Sequence, residues 1–151
     1  RVKALGWHVV VYFESPDLTD LRPFLELLAK DQVVVVDHMG RPDVGKGIAS
    51  EEFEAFISLL RNNENIWTKV SCPERLTQLA HDYSDVVPFA RELVEAFPNR
   101  VLWGTDWPHP NMKSHVPDDG NLVDVIPKIA LTSKLRQHLL VDNPMRLYWA
   151  D

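Results

Sequence analysis

Four times along this chain an apolar, β-branched or aromatic run gives way to a few polar residues and then to a stretch with helical spacing. The runs are Trp7 to Phe13, Val33 to Asp37, Ile66 to Ser71 and Val101 to Trp103, and their composition predicts strands. Between them, three stretches each place their apolar residues on one helical stripe. These are Leu18, Leu21, Phe24, Leu25 and Leu28; Phe53, Phe56, Ile57 and Leu60; and Val86, Phe89, Ala90, Leu93 and Val94. Asp17 and Ser50 are N-cap candidates for the first two helices, and the third runs from about Asp85 to before Pro98. Two or three helices complete the chain, the last over Asn143 to Trp149, and Arg1 to Gly6 reads as a helix end closed by Gly6. Four strand-then-helix units in a row predict an α/β fold with a parallel sheet. In the first run His8, Val10 and Tyr12 share one face while Trp7, Val9, Val11 and Phe13 share the other, so both faces are expected to be buried.

Composition narrows the partners. The chain has 151 residues, 45% hydrophobic and 25% charged, enough for one sizeable core, and no linker divides it, so residues 1–151 read as one domain. A formal charge of -6 without a Lys/Arg run argues against nucleic acid or an anionic membrane, which leaves a small molecule as the expected partner. The longest apolar runs are too short to cross a bilayer and no signal-peptide pattern opens the chain, so a cytoplasmic protein is expected. Cys72 is the sole cysteine, which rules out a disulfide framework and makes it a passive neighbour of the site rather than a nucleophile.

The chemically suggestive residues gather at one end of the expected sheet. Tyr12 and Glu14 follow the first strand, His38 and Arg41 the second, Ser71 and Arg75 the third, and Asp106 and His109 the fourth. Side chains at the C-terminal ends of parallel strands face the ligand crevice, so four strands delivering polar groups to one rim form a site pattern. Asp106 stands out. In Val101-Leu102-Trp103-Gly104-Thr105-Asp106-Trp107-Pro108-His109-Pro110-Asn111 it sits where the strand has just ended, between two Trp residues, and reads as a general acid or base. The alternative for Asp106 is a turn-capping role, and for Tyr12 an aromatic packed into the rim.

The segments Asp37-His38-Met39-Gly40-Arg41-Pro42, Ser71-Cys72-Pro73-Glu74-Arg75, Gly104-Thr105-Asp106-Trp107-Pro108-His109 and Asp142-Asn143-Pro144 together resemble the amidohydrolase superfamily, in its 2-pyrone-4,6-dicarboxylate lactonase branch. The resemblance implies a distorted TIM-type (β/α)8 barrel in which His38 follows the sixth strand, Arg75 the seventh and the catalytic Asp106 the eighth. It also implies a His-x-His pair at the first strand, and this sequence has none. The chain therefore resembles the C-terminal half of a barrel, strands five to eight, short of the about 250 residues of a typical one. A partner is expected for it, either a missing N-terminal half-barrel or a second copy.

What the resemblance implies chemically is hydrolysis of a small dicarboxylate lactone in aromatic-compound degradation. Asp106 would activate water and His38 would polarise the carbonyl. Arg41 and Arg75 would anchor carboxylates by two-point hydrogen bonds, with Tyr12 and His109 as weaker substrate contacts. No cofactor is expected; if a divalent metal such as zinc is bound, His38 and Asp106 hold it. Two alternatives stay open: a zinc-dependent decarboxylase or amidohydrolase of the same superfamily, and a non-catalytic half-barrel that binds an anionic metabolite. The chain by itself is expected to be inactive.

Overall fold

The protein is described here by a computed structural model covering residues 2–79, 82–110, 112 and 116–149. Arg1, expected from the sequence to belong to a helix end, and Asn111, at the end of the Asp106 segment, lie outside the described residues. Strands β1 (Val9–Val11), β2 (Val34–Val36), β3 (Ile66–Val70) and β4 (Val101–Trp103) form one sheet in chain order, each neighbouring pair parallel. Val10 pairs with Val35, Val35 with Trp67, and Lys69 with Leu102. Alternation along each strand then gives the sheet two distinct faces.

One face carries Val34, Val36, Ile66, Val70 and Val101 and is covered by α1 (Leu18–Ala29), α2 (Glu51–Asn62) and α3 (Val87–Ala96). Leu25, Phe53, Phe56, Leu60, Phe89 and Leu93 from these helices join those strand residues in the main core. The Phe53 and Phe89 rings meet edge to face with centroids 4.8 Å apart. Ser50 caps α2 as expected, accepting from the Phe53 N–H. Asp17 does not cap α1: it is the last residue of a 3-10 turn, Ser15–Asp17, with helical backbone angles, so its carboxylate is not aimed at the free N–H groups. Phe24 is also not in the core. It is 57% exposed, lying about 100° round the helix from the buried Leu25 and past the edge of the contact stripe.

After β4 the chain forms α4 (Asp119–Val123), α5 (Ile126–Ile129) and α6 (Ser133–Gln137), a π-helical turn over His138–Asp142, and α7 (Asn143–Tyr148). This is a larger number of shorter helices than the two or three expected. Helix α7 serves the opposite face of the sheet, where Leu147 packs with Val35, Trp67 and Leu102 and the Arg146 guanidinium lies 4.9 Å above the Trp67 ring. Asn143 fastens it there: fully buried, its Nδ2 donates to the carbonyls of Pro98 and Val101, both at 2.8 Å.

Although all three residues of β2 are buried, the expectation of burial on both faces fails for β1. There Val10 is 43% and Tyr12 54% exposed, because β1 is an edge strand and no described element lies over that part of its inner face. No described helix is long and apolar enough to cross a membrane.

Candidate active site

Strands β2, β3 and β4 each hand the chain to a tight turn, and these turns are where the backbone departs from ordinary geometry. His38, Met39, Arg41, Cys72, Asp106 and His109 all have positive φ without being glycine, and Gly40 completes a left-handed run from His38 to Arg41. For an L-residue this conformation costs roughly 1–2 kcal/mol, so its concentration on one rim is a mark of functional constraint. The effect is to turn polar side chains toward one another instead of following the strand direction.

His38 and Asp106 meet at the centre, with His38 Nε2 3.6 Å from Asp106 Oδ1. The other ring nitrogen of His38, Nδ1, is 2.8 Å from Ser71 Oγ, and both residues are buried. A hydroxyl can donate or accept, so Ser71 holds the imidazole in either protonation state. Burial pushes the His38 pKa below its ordinary value, with Arg41 and Arg75 acting in the same direction and Asp106 and Asp37 opposing it.

Arg75 approaches Asp106 from the far side. Its Nη2 is 3.2 Å from Asp106 Oδ2 and also donates to the Pro110 carbonyl. The charges are close enough to pair but make no hydrogen bond, so Asp106 Oδ2 is buried without a hydrogen-bond partner, and Arg75 Nε is likewise without one. Unpaired polar atoms are costly in a fold and are a common feature of a site made for a ligand. Arg41 Nε donates to Glu14 Oε2 at 3.3 Å, and the Tyr12 hydroxyl donates to Glu14 Oε1. The Tyr12 ring stands edge-on to His38, with centroids 5.9 Å apart. Glu14, Arg41 and Arg75 line a cleft of about 270 Å³ that opens beside this cluster.

The structure thus brings His38, Asp106, Arg75, Arg41 and Tyr12 to one rim. His109 is placed differently: it is buried, with Nδ1 3.2 Å from Glu74 Oε1 and Nε2 3.2 Å from Asp119 Oδ1. Both ring nitrogens thus lie against protein carboxylates. Sequence reasoning missed three relationships, the Ser71 contact to His38, the Glu14 bridge and the Glu74 to His109 contact. Of these only Glu14 and Ser71 carried a signal, their place just after a strand.

Cys72 lies within the same cluster, one donor atom each of His38, Cys72 and Asp106 falling within 4.8 Å of one another. Burial, reinforced by Glu74 and Asp106, pushes its thiol pKa far above the ordinary range, so the thiol stays protonated and is a poor nucleophile. The same three donors give a partial fit to a divalent metal. A catalytic zinc takes three protein ligands and an open position, and an ion held here would displace the proton of the Cys72 thiol. The Arg75 cation already occupies one side of Asp106. Among the described residues these three donors are the ones a divalent ion would use, with Arg75 competing for Asp106.

Comparison with known proteins follows the same lines. The chain is 60% identical to a 2-pyrone-4,6-dicarboxylate hydrolase of Comamonas testosteroni, over all of this chain and 52% of that protein. It is 36% identical to a 4-sulfomuconolactone hydrolase of Hydrogenophaga intermedia, over 95% of this chain and 47% of that one. A solved structure of a probable 2-pyrone-4,6-dicarboxylic acid hydrolase from Acinetobacter baumannii, with citric acid bound, superimposes with a TM-score of 0.79 at 28% identity, covering 97% of this chain and 54% of its own. The chain spans about half the length of the curated relatives it matches, and its four parallel strand-helix units correspond to half of an amidohydrolase barrel. A family model described as Amidohydrolase matches residues 1–149, and with the strand-end His38 and Asp106 in place the chain belongs to the amidohydrolase family.

Proposed function

We propose that the complete protein carrying this chain hydrolyses a small carboxylated lactone of the 2-pyrone-4,6-dicarboxylate type, and that these four strands are strands five to eight of its barrel. The observation that carries the reading is the convergence of Asp106 with His38 at 3.6 Å and Arg75 at 3.2 Å on one buried rim, with Asp106 Oδ2 left free of hydrogen bonds. The names of the similar proteins, lactone hydrolases among them, support it.

In this reading a water oxygen attacks the ester carbonyl while Asp106 takes its proton; as the ring C–O bond breaks, Asp106 returns the proton to the departing oxygen. Burial lowers the His38 pKa and so favours the neutral imidazole at pH 7; in the tautomer whose Nδ1 accepts from the Ser71 hydroxyl, its Nε2–H hydrogen-bonds the carbonyl oxygen as negative charge develops there. Arg41 and Arg75 present planar forks suited to carboxylates on the substrate. Tyr12, beside His38, supplies a hydroxyl at the same opening. No step is routed through a metal; a divalent ion in this site would be held by His38 and Asp106, with the Cys72 thiol beside them.

The exposed inner face of β1 and its free edge are the surface that the remaining barrel strands would cover, so this chain requires that half to work. The test is an assay of 2-pyrone-4,6-dicarboxylate ring opening by the complete protein, by the 151-residue chain, and by the complete protein on a lactone without carboxylates. Turnover is expected from the first arm alone. Failure of the complete protein to open the dicarboxylate lactone rejects the reading, and turnover by the isolated chain rejects the requirement for a second half.

A further inference from the structure

We infer that Glu14 is a specificity-determining residue: its carboxylate occupies the donors of Tyr12 and Arg41, and a ligand carboxylate binds by displacing it. The inference rests on the reading of Arg41 as a carboxylate anchor and goes beyond it by naming what holds that anchor when no ligand is present.

The geometry is that of a carboxylate held at both oxygens. Tyr12 donates its hydroxyl to Oε1, and Arg41 donates Nε to Oε2 at 3.3 Å. A substrate carboxylate on Arg41 would use the same kind of two-oxygen contact. The two partners differ in freedom. The Arg41 side chain is 19% exposed and springs from the left-handed run that begins at His38, so it is set into the wall of the cleft. The Glu14 side chain is 52% exposed in this chain and is the less enclosed of the two. Its backbone is fixed separately, by the Asp17 N–H donating to the Glu14 carbonyl at 2.8 Å, so the side chain can swing away without disturbing the turn.

This arrangement selects among ligands. A ligand with a carboxylate replaces one charged partner of Arg41 by another. A neutral lactone that pushed Glu14 aside would leave the guanidinium in the cleft wall without a counter-charge, and that loss is not recovered from a neutral group. Glu14 therefore weakens binding of every ligand somewhat and weakens neutral ligands most. Tyr12 bears the mark of the same contact, its phenol pKa being raised first of all by the hydrogen bond to Glu14.

The experiment uses the complete protein and citrate, the anion bound in the Acinetobacter baumannii relative, as the probe. Calorimetric titration is run on wild type, Glu14→Gln, Glu14→Ala and Arg41→Ala. Both Glu14 variants are expected to bind citrate about two- to fivefold tighter, the size of a partly exposed ion pair, and Arg41→Ala to bind it more weakly. Without ligand, ultraviolet titration against Tyr12→Phe should show the Tyr12 phenol ionising at lower pH in Glu14→Gln. If Arg41→Ala loses affinity while the Glu14 variants bind no tighter than wild type, the displacement inference is wrong and the anchor reading stands. If Arg41→Ala binds citrate as wild type does, the anchor reading fails and the inference with it.

Discussion

His38 Nε2 stands 3.6 Å from Asp106 Oδ1, two residues from strands that are not adjacent, brought together because both have left-handed backbones at their strand ends. Strand β3 lies between β2 and β4, and its own contribution is Ser71, bonded to the other nitrogen of the same imidazole. The central pair is thus held from three strands at once, which favours a fixed geometry over a mobile one.

The pH dependence of stability follows from the buried imidazole. Burial lowers the His38 pKa in the fold relative to the unfolded chain, so as pH falls the unfolded chain takes up the proton first. Stability contributed at this site is complete above the ordinary imidazole value of 6.5, falls as the pH drops below it, and levels once the pH is under the folded value. Urea unfolding of wild type between pH 7.5 and 5 should show this loss, and His38→Gln should show a flatter profile. An unchanged slope in His38→Gln would assign the acid loss to other groups.

Arg75→Ala in the complete protein is expected to weaken dicarboxylate binding by on the order of 1.5–3 kcal/mol, the cost of a hydrogen bond to a charged group. Arg75→Lys should recover little of it, because an ammonium cannot make the two parallel contacts and would not reach Asp106 and the Pro110 carbonyl from the same plane. Michaelis constants for the three proteins decide the matter, and equality of the Lys variant with wild type would remove Arg75 from the anchoring role.

The fold was legible because four apolar runs and three helical stripes agree with one another, and the places of Asp106, His38, Arg41 and Arg75 were legible because strand ends point to one rim. What was not legible depends on backbone angles. Spacing gives no sign that His38, Cys72, Asp106 and His109 take positive φ, and it is this that sends His109 toward Glu74 and Asp119 and brings His38 to Ser71. Phe24 and the first strand failed for another reason. Alternation and helical spacing say which residues share a face but not whether another element lies over it.

Asn143 tests the attachment of α7. Its amide satisfies two carbonyls at the foot of β4, and Asn143→Ala leaves both without that donor. The expected loss is on the order of 1–3 kcal/mol in unfolding free energy. Asn143→Asp should also lose stability, since a carboxylate cannot donate to a carbonyl. Denaturant midpoints equal to wild type in both variants would show that α7 is held by the Leu147 and Arg146 contacts instead.

Asp106→Asn separates chemistry from architecture. The substitution nearly conserves volume and tolerates positive φ, since Asn is among the residues that adopt the left-handed region most readily, so the turn after β4 should form as before. The amide can still hydrogen-bond, but it cannot take a proton from water. Hydrolysis by the complete protein should fall by at least ~10²-fold, the lower end of general-base contributions, with the unfolding midpoint little changed. A turn-capping Asp106 would give the reverse, near-normal turnover with any effect confined to stability. The loss of the Arg75 ion pair does not blur the distinction, because weakened pairing acts on stability and binding, whereas loss of the proton acceptor acts on the maximal rate. Turnover within a few-fold of wild type in a folded Asp106→Asn protein would end the catalytic assignment and leave the rim as an anion-binding surface.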